Sequence, residues 1–566
     1  MSNELLKMET ADFKLYESMV ISSSQWAAVG DALGWITELA VQGDSSVKYR
    51  TGQKKIDSTI PWKRFISGKN GPRVNLKAGT YSDDTQLRLS VCRSIRGDGS
   101  FDVEAFSKIE VTVWPAYALG AGIGTKTAAN NLSKKSVAWF SNFFQKGESK
   151  YINSGGNGAA MRIQPHVWAS KELNNVLLNV MKDSVVTHGH THGFCGAIFH
   201  AVALFYTLNN KKIPDLEGLR SFVSVIQKIP TLLKSDFQLG SFWMPTWERN
   251  TGKSFQEAID EVCFELEEKI ENIIKINDKK GVDLYRAILE ELECHIPKYR
   301  GSGLRTALAA SILATVAKEE TIESALIWIV NELDIDTDTI GTMFGAIVGA
   351  LEDRPPEWEL QDREYITFEA KRLAKIAYGE KESSFAYPDP SKWNPPANQA
   401  SAVLKTINGL SLAGLGELTP ISETYEQGNF IWQWFSMPYG QTVLAKYKKN
   451  IELIDSREFV IHRDNREYLE EKVVEIKKLQ NLKQPELGLG ENHIDKDSLL
   501  RIYERESNQF GIIDKYTDKV IYSNFQDEVI GYYFNKLIEE NLSLDNVIAF
   551  SAIIAKAKLA RIKRGK

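Results

Sequence analysis

Apolar residues recur along this chain at spacings of three and four over most of its length. Between 258 and 277, Ile259, Val262, Leu266, Ile270, Ile273 and Ile274 share one helix face, with glutamates and lysines between them. Segment 22–40 opens on Ser22-Ser23-Ser24, which reads as a cap, and continues with an alanine-rich apolar face. Segments 304–317 and 321–333 predict two further helices joined by a charged turn. Long strict alternation is scarce, so the pattern predicts a mostly α fold. It breaks at 384–398, where Pro388, Pro390, Pro395 and Pro396 forbid continuous helix and predict an extended linker. The expected units are therefore 1–383, a linker at 384–398, and 399–566. The last is aromatic at Trp432, Trp434 and Phe435, then lysine-rich and helical, and is expected to be mainly α.

Length supports more than one unit, because 566 residues exceed what one ordinary core holds. Lys and Arg number 69 against 74 Asp and Glu, a net charge of -5, so no general basic field draws the chain to nucleic acid. The basic run from Lys556 to Lys566 reads as a solvated end, and His462-Arg463-Asp464 as a charged turn. Four cysteines without a CxxC pair make no disulfide framework. The first residues carry no apolar signal core. The longest apolar run, 340–351, is short of the ~18 residues of a membrane span. The expectation is a cytoplasmic protein with no membrane partner.

Four segments and one cluster carry candidate chemistry. Gly30-Asp31-Ala32-Leu33-Gly34 precedes Glu38; the glycines thin a helix face for another backbone, and Asp31 and Glu38, two turns apart, each need a partner or a cation. Tyr81-Ser82-Asp83-Asp84-Thr85 reads as a helix start, whose dipole favours both anions. Asp334, Asp336, Thr337, Asp338 and Thr339 concentrate hard oxygen donors before an apolar helix, a set suited to magnesium, manganese or calcium rather than zinc. Gly341, Gly345 and Gly349 then form a stripe that predicts close packing on another backbone. Ser154-Gly155-Gly156-Asn157-Gly158, followed by Ala159, Ala160, Met161 and Arg162, is a loop whose free amides suit an anion or a sugar. His188, His190 and His192 fall before an apolar helix; zinc needs a further ligand that no neighbour supplies.

Taken in chain order, GDALG with Glu38, YSDDT, GNGAAMR, THGH and DTDTIGTMFGAIVGA resemble the ADP-ribosylglycohydrolase family, which includes the dinitrogenase reductase-activating glycohydrolases. The resemblance spans residues 30–350, within about 22–380, and does not reach the remainder. It implies a compact all-α fold around a cleft with two Mg2+ ions, for which Mn2+ can substitute. The ligands it implies are Ser82, Asp83, Asp84, Asp336, Asp338 and Thr339. It places Glu38 toward the metals and the scissile ribose, and makes Glu38, Asp83 and Asp338 the candidates for the chemistry. Ser154, Gly155, Gly156, Asn157, Gly158 and Met161 would cradle diphosphate and ribose, with His188 as a further substrate contact.

Three positions depart from the family pattern. Leu333-Asp334-Ile335 stands where glycines often precede the last motif. Ser82 replaces the commoner threonine and keeps its hydroxyl. Gly155 stands where some members carry an adenine-stacking aromatic, which leaves Phe143, Phe144 and Tyr151 as replacements. The implied activity is magnesium-dependent cleavage of the glycosidic bond between ADP-ribose and an acceptor. That acceptor is a protein side chain, a nucleic-acid base or a small molecule. The alternative is a catalytically silent ADP-ribose-binding protein on the same fold. The C-terminal unit is left open to partner binding or oligomerisation.

Overall fold

Ser22, Ser23 and Ser24 lie inside a helix rather than at its start. The computed structural model of the chain describes residues 2–453 and 516–563, apart from 69–70, 147–148, 277, 391, 408, 518, 522, 524 and 540–543. In it α1 runs from Ser2 to Thr37. All three serines are buried, and Ser23 Oγ donates to the Ala346 carbonyl at 2.7 Å, so they face a packed neighbour instead of capping. A short antiparallel hairpin follows, β1 (Trp62–Phe65) and β2 (Arg73–Leu76), then α2 (Asp83–Ser94). The main helices after it are α3 (Leu173–Thr187), α4 (Thr191–Asn210), α5 (Phe255–Ile274), α6 (Gly303–Val316), α7 (Ile322–Asn331), α8 (Thr337–Gly349) and α9 (Arg363–Ala377). The 258–277 pattern becomes α5, with Ser254 and Glu257 forming a reciprocal capping box. Helix α4 is long and apolar enough to cross a membrane by length and composition, but 78% of that stretch is buried inside the protein. It is packed as a core helix.

The two glycine stripes turn out to be partners. A Cβ on Gly30 would stand 2.1 Å from the Gly341 carbonyl oxygen of α8, and one on Gly34 would stand 2.5 Å from the Asp338 Cα. Hydroxyl bonds reinforce the seam: Thr342 Oγ1 donates to Ala27 O at 2.7 Å, and Thr337 Oγ1 to Gly34 O at 2.8 Å. Small residues and hydroxyls thus bring two backbones together and fix where α8 begins relative to α1.

The region after the prolines departs from the expected mainly α domain. Residues 403–448 form a six-stranded antiparallel sheet: β3 (Val403–Thr406), β4 (Gly409–Leu412), β5 (Gly416–Pro420), β6 (Tyr425–Gln427), β7 (Phe430–Ser436) and β8 (Thr442–Lys448). Its order is β8-β7-β5-β4-β3, with β6 also on β7, and Val443 pairs with Phe435. The sheet buries Val403, Leu412, Phe435 and Val443 with Leu87 and Trp114 of the helical part. Loss of the alternating pattern has a physical reason: β7 is aromatic on both faces, and β3 to β6 are only three to five residues long. The compact units divide as Met1–Val473 and Val474–Lys566, so 384–398 lies within the first unit. In the second unit Asp527–Glu539 and Leu544–Lys563 are helices, with Val520, Leu537 and Phe550 buried in its own small core. The basic run is therefore helical through Lys563 rather than a loose end. His462, Arg463 and Asp464 lie outside the described residues.

Candidate active site

Both acidic motifs sit at helix starts, as their spacing predicts. Ser82 caps α2 and accepts from Asp84 N, while Asp336 precedes α8 without a side-chain cap bond. Asp31 of α1 completes the α2 start from across the seam. Its carboxylate accepts from Ser82 N (2.9 Å), Thr85 N (2.9 Å) and Thr85 Oγ1 (2.5 Å), so its partners are amides and a hydroxyl. Arg88 then donates to Thr85 Oγ1 and to Thr342 Oγ1, joining α2 to α8.

The remaining acids crowd together with fewer such partners, Asp83 and Asp338 each accepting one backbone amide. Burial raises the Asp83 carboxyl to about 8, with Glu38 and Asp31 adding to the shift by their negative charge. Asp84 is pushed well above the usual carboxylate range by burial, then by Asp31, Asp83 and Asp336. Asp338 is pushed the same way by burial, then by Glu38 and Asp336. Two helix starts distant in sequence thus share one negative field. Asp83 Oδ1 accepts from Ala121 N at 3.0 Å, and a Cβ on Gly120 would collide with that oxygen. Both loop residues have positive φ, +107° at Gly120 and +102° at Ala121, a strained turn folded around one carboxylate. Asp84 Oδ2 is buried with no hydrogen-bond partner among the described residues.

These donors are all hard oxygens, and an unpartnered buried carboxylate oxygen in a field of like charge is what a divalent cation would satisfy. Among the described residues no three His, Cys, Asp or Glu side chains already converge as a cage for one ion. The donor chemistry fits; a bound ion would have to draw the side chains together. Glu38 stands at the edge of the cluster, where Arg64 of β1 donates to its Oε2 at 2.7 Å, and Arg50 donates to its backbone carbonyl. The Arg64 guanidinium also lies over the Trp35 ring. Asp334, at φ +70°, turns its carboxylate to Gln42 N at 3.0 Å and serves the 40–42 turn.

The glycine loop is built against the 301–303 turn. Asn157 N donates to Gly301 O at 2.9 Å and Gly303 N to Gly155 O at 3.0 Å, and a Cβ on Gly301 would lie 3.3 Å from Asp336 Oδ2. The loop and the second acidic motif are therefore adjacent. Ser154, Gly155, Gly156, Asn157 and Gly158 are all half-buried. His188 is buried beneath them, and a Cβ on Gly158 would touch its ring. Burial holds its imidazole down at about 3, so it is neutral. Its Nδ1 pairs with Thr187 Oγ1, which itself accepts from Arg162.

Two expectations change here. Met161 is packed in the apolar cluster shared with the sheet, so it is a core residue rather than a substrate contact. Tyr151 and Phe144 are buried against each other, and Tyr151 OH bonds to Val185 O, so neither ring is free to stack on a base. His190 occupies the space beside Gly155, where a Cβ would meet its ring at 2.9 Å. His192 is held between Ser302 Oγ (3.0 Å) and Glu265 Oε2 (2.9 Å), and Arg305 also binds Glu265. Arg64, Ala121 and Glu265 were not legible as site neighbours; Gly301-Ser302-Gly303 before a helix was the one available signal.

A family model described as ADP-ribosylglycohydrolase matches residues 27–383. The curated protein "ADP-ribosylhydrolase ARH3" of Gallus gallus is 26% identical over 356 residues, 59% of this chain and 86% of that protein. Its namesake in Xenopus tropicalis is 23% identical over 302 residues, covering 50% and 78%. The one in Homo sapiens is 22% identical over 287 residues, covering 49% and 73%. A solved structure described as "ADP-ribosylglycohydrolase-related protein complex" aligns at 18% identity with a TM-score of 0.40, over 64% of this chain and 99% of that one.

Proposed function

The chain belongs to the ADP-ribosylglycohydrolase family and is a glycohydrolase acting on ADP-ribose linkages; from that premise we propose that it is a magnesium-dependent hydrolase of the bond between the distal ribose and an ADP-ribosylated acceptor. The observation that carries the metal dependence is the buried acidic cluster with its unpartnered Asp84 oxygen. Ser82, Asp83, Asp84, Asp336, Asp338 and Thr339 would hold Mg2+, or Mn2+ in its place. When bound, the ions would supply positive charge for ribose hydroxyls and a water.

The chain's own groups do the rest. The half-buried glycine loop, whose Ser154, Gly155 and Asn157 amides already donate within the protein, and the ring of neutral His188 bind the diphosphate and ribose side of the substrate. Cleavage breaks the bond from ribose C1 to the acceptor as water oxygen bonds to C1, through an oxocarbenium-like state. Glu38, oriented by Arg64, takes the proton from that water, with Asp83 or Asp338 as the other acids able to do so. The acceptor leaves with that proton, which restores the carboxylate. A panel of chemically defined conjugates on arginine, serine, a nucleic-acid base and a small molecule, assayed with and without Mg2+, tests this reading. Release of free ADP-ribose only with the metal is expected; no release from any conjugate with Mg2+ present would overturn it.

A further inference from the structure

Neighbouring residues of the sheet hold α2 at both of its ends. At its start, Tyr81 OH donates to Asp362 Oδ2 at 2.6 Å. The same carboxylate accepts from Thr442 N and from Thr442 Oγ1, each at 2.8 Å. Asp362 sits at φ +56°, a conformation an aspartate adopts at a cost that these bonds offset. At the other end, Arg93 Nη1 donates to Gln441 Oε1 at 2.7 Å. The Arg93 guanidinium also lies over the Tyr439 ring, 5.1 Å from its centre. Between these two attachments lie Ser82, Asp83 and Asp84. The apolar face of the sheet backs the same helix, since Leu87 shares a core with Val403, Phe435 and Val443.

We propose that Gln441 and Thr442 are positioning residues for the acidic start of α2. The sheet at 403–448 then belongs to the working catalytic unit, although it lies beyond residues 27–383. The proposal rests on the reading that Ser82, Asp83 and Asp84 serve the hydrolysis. Its physical basis is geometric: Tyr81, one residue before the Ser82 cap, and Arg93, in the last turn, are tied through Asp362 to Thr442 and directly to Gln441, so the adjoining residues 441 and 442 fix both ends of the helix that carries the acids.

The test compares Thr442→Val, Thr442→Ser and Val443→Ala in the full-length protein. Thr442→Val removes only the hydroxyl bond to Asp362. Val443→Ala loosens the same strand through its apolar face and serves as the control for general destabilisation. Hydrogen exchange of amides 82–88 is expected to speed up about tenfold in Thr442→Val relative to Val443→Ala, and Thr442→Ser should restore it. On any conjugate the wild type cleaves, kcat should fall about tenfold with KM unchanged. Gln441→Met, which frees the Arg93 end, should speed exchange at 90–95 and keeps the test open if Thr442→Val does not fold. Equal exchange at 82–88 in Thr442→Val and Val443→Ala would overturn the proposal. A wild type that cleaves nothing defeats the hydrolase reading instead, and the exchange result still decides the positioning.

Discussion

The two ends of α2 bury charge in opposite ways. At its last turn, Arg93 and Glu110 are both fully buried and meet through two bonds of 2.7 and 2.8 Å. Tyr387 OH adds a third bond to Glu110 at 2.6 Å, and Gln441 takes a remaining Arg93 donor. Burial alone would lower the Arg93 guanidinium, but Glu110 outweighs it and holds the group charged. At the first turn, about 18 Å away along a helix of this length, Asp83, Asp84, Asp336, Asp338 and Glu38 share a field with few opposite charges. One end has its charges cancelled and hydrogen-bonded, which is what a structural network requires. The other has like charges crowded and one oxygen left bare, an arrangement that a fold alone has no reason to keep.

That contrast predicts opposite responses to removing one carboxylate. Asp83→Ala and Asp338→Ala should abolish metal-dependent release of ADP-ribose. Without metal, each variant should be more stable than wild type, by about 1 kcal/mol, because a buried carboxyl that folding forces to take up a proton is gone. Thermal melts with and without Mg2+ check the pair: wild type should gain stability from the ion and the variants much less. Full activity in both variants would remove the acids from metal binding. At the far end the signs reverse. Glu110→Gln leaves Arg93 charged and poorly paired in the interior, and should cost about 3–5 kcal/mol. Urea unfolding measures it, and Mg2+ should not recover the loss. A cost below about 1 kcal/mol would mean that Arg93 finds another partner.

The difference between the ends also explains what was legible in the sequence. Asp83, Asp84, Asp336 and Asp338 stand in short runs beside helix signals, so composition and spacing expose them. The glycines at 30, 34, 341 and 345 were legible as close-approach faces, but not as each other's partners, because nothing local encodes which stripe meets which. Glu110, Gln441 and Asp362 were invisible for the same reason. Each is one polar residue in ordinary surroundings, and its role exists only once distant segments meet. The sheet was missed because four of its strands have only three to five residues and β7 carries aromatics on both faces, which leaves no clean two-residue period. Tyr151 misled because an aromatic near a glycine loop looks like a stacking platform until its hydroxyl is found on the Val185 carbonyl.

A third way of burying a titratable group is to keep it neutral, and here the expected effect is smallest. His200 of α4 is fully buried, and burial, with Arg88 adding to it, lowers its imidazole to about 3. Its Nε2 pairs with Gln164 Nε2 at 2.9 Å; an amide nitrogen can only donate, so that ring nitrogen accepts. Between about pH 6.5 and 3 the unfolded chain therefore binds a proton at this position that the folded chain refuses. The contribution of this site to stability must fall as pH drops through that window; His188 and His190, lowered by burial to about 3 and 4, act in the same direction, and the raised carboxyls Asp83, Asp84 and Asp338 act in the opposite one. His200→Gln removes one of the three. Urea unfolding at intervals from pH 7 to pH 5 should show the variant gaining stability relative to wild type as pH drops, by about 1 kcal/mol per pH unit near pH 5.5. Any packing cost of the substitution shifts the whole curve and leaves the slope as the readout. Parallel slopes would mean that His200 takes up a proton in the folded state, so that this site pairs charge as the Arg93 end of α2 does.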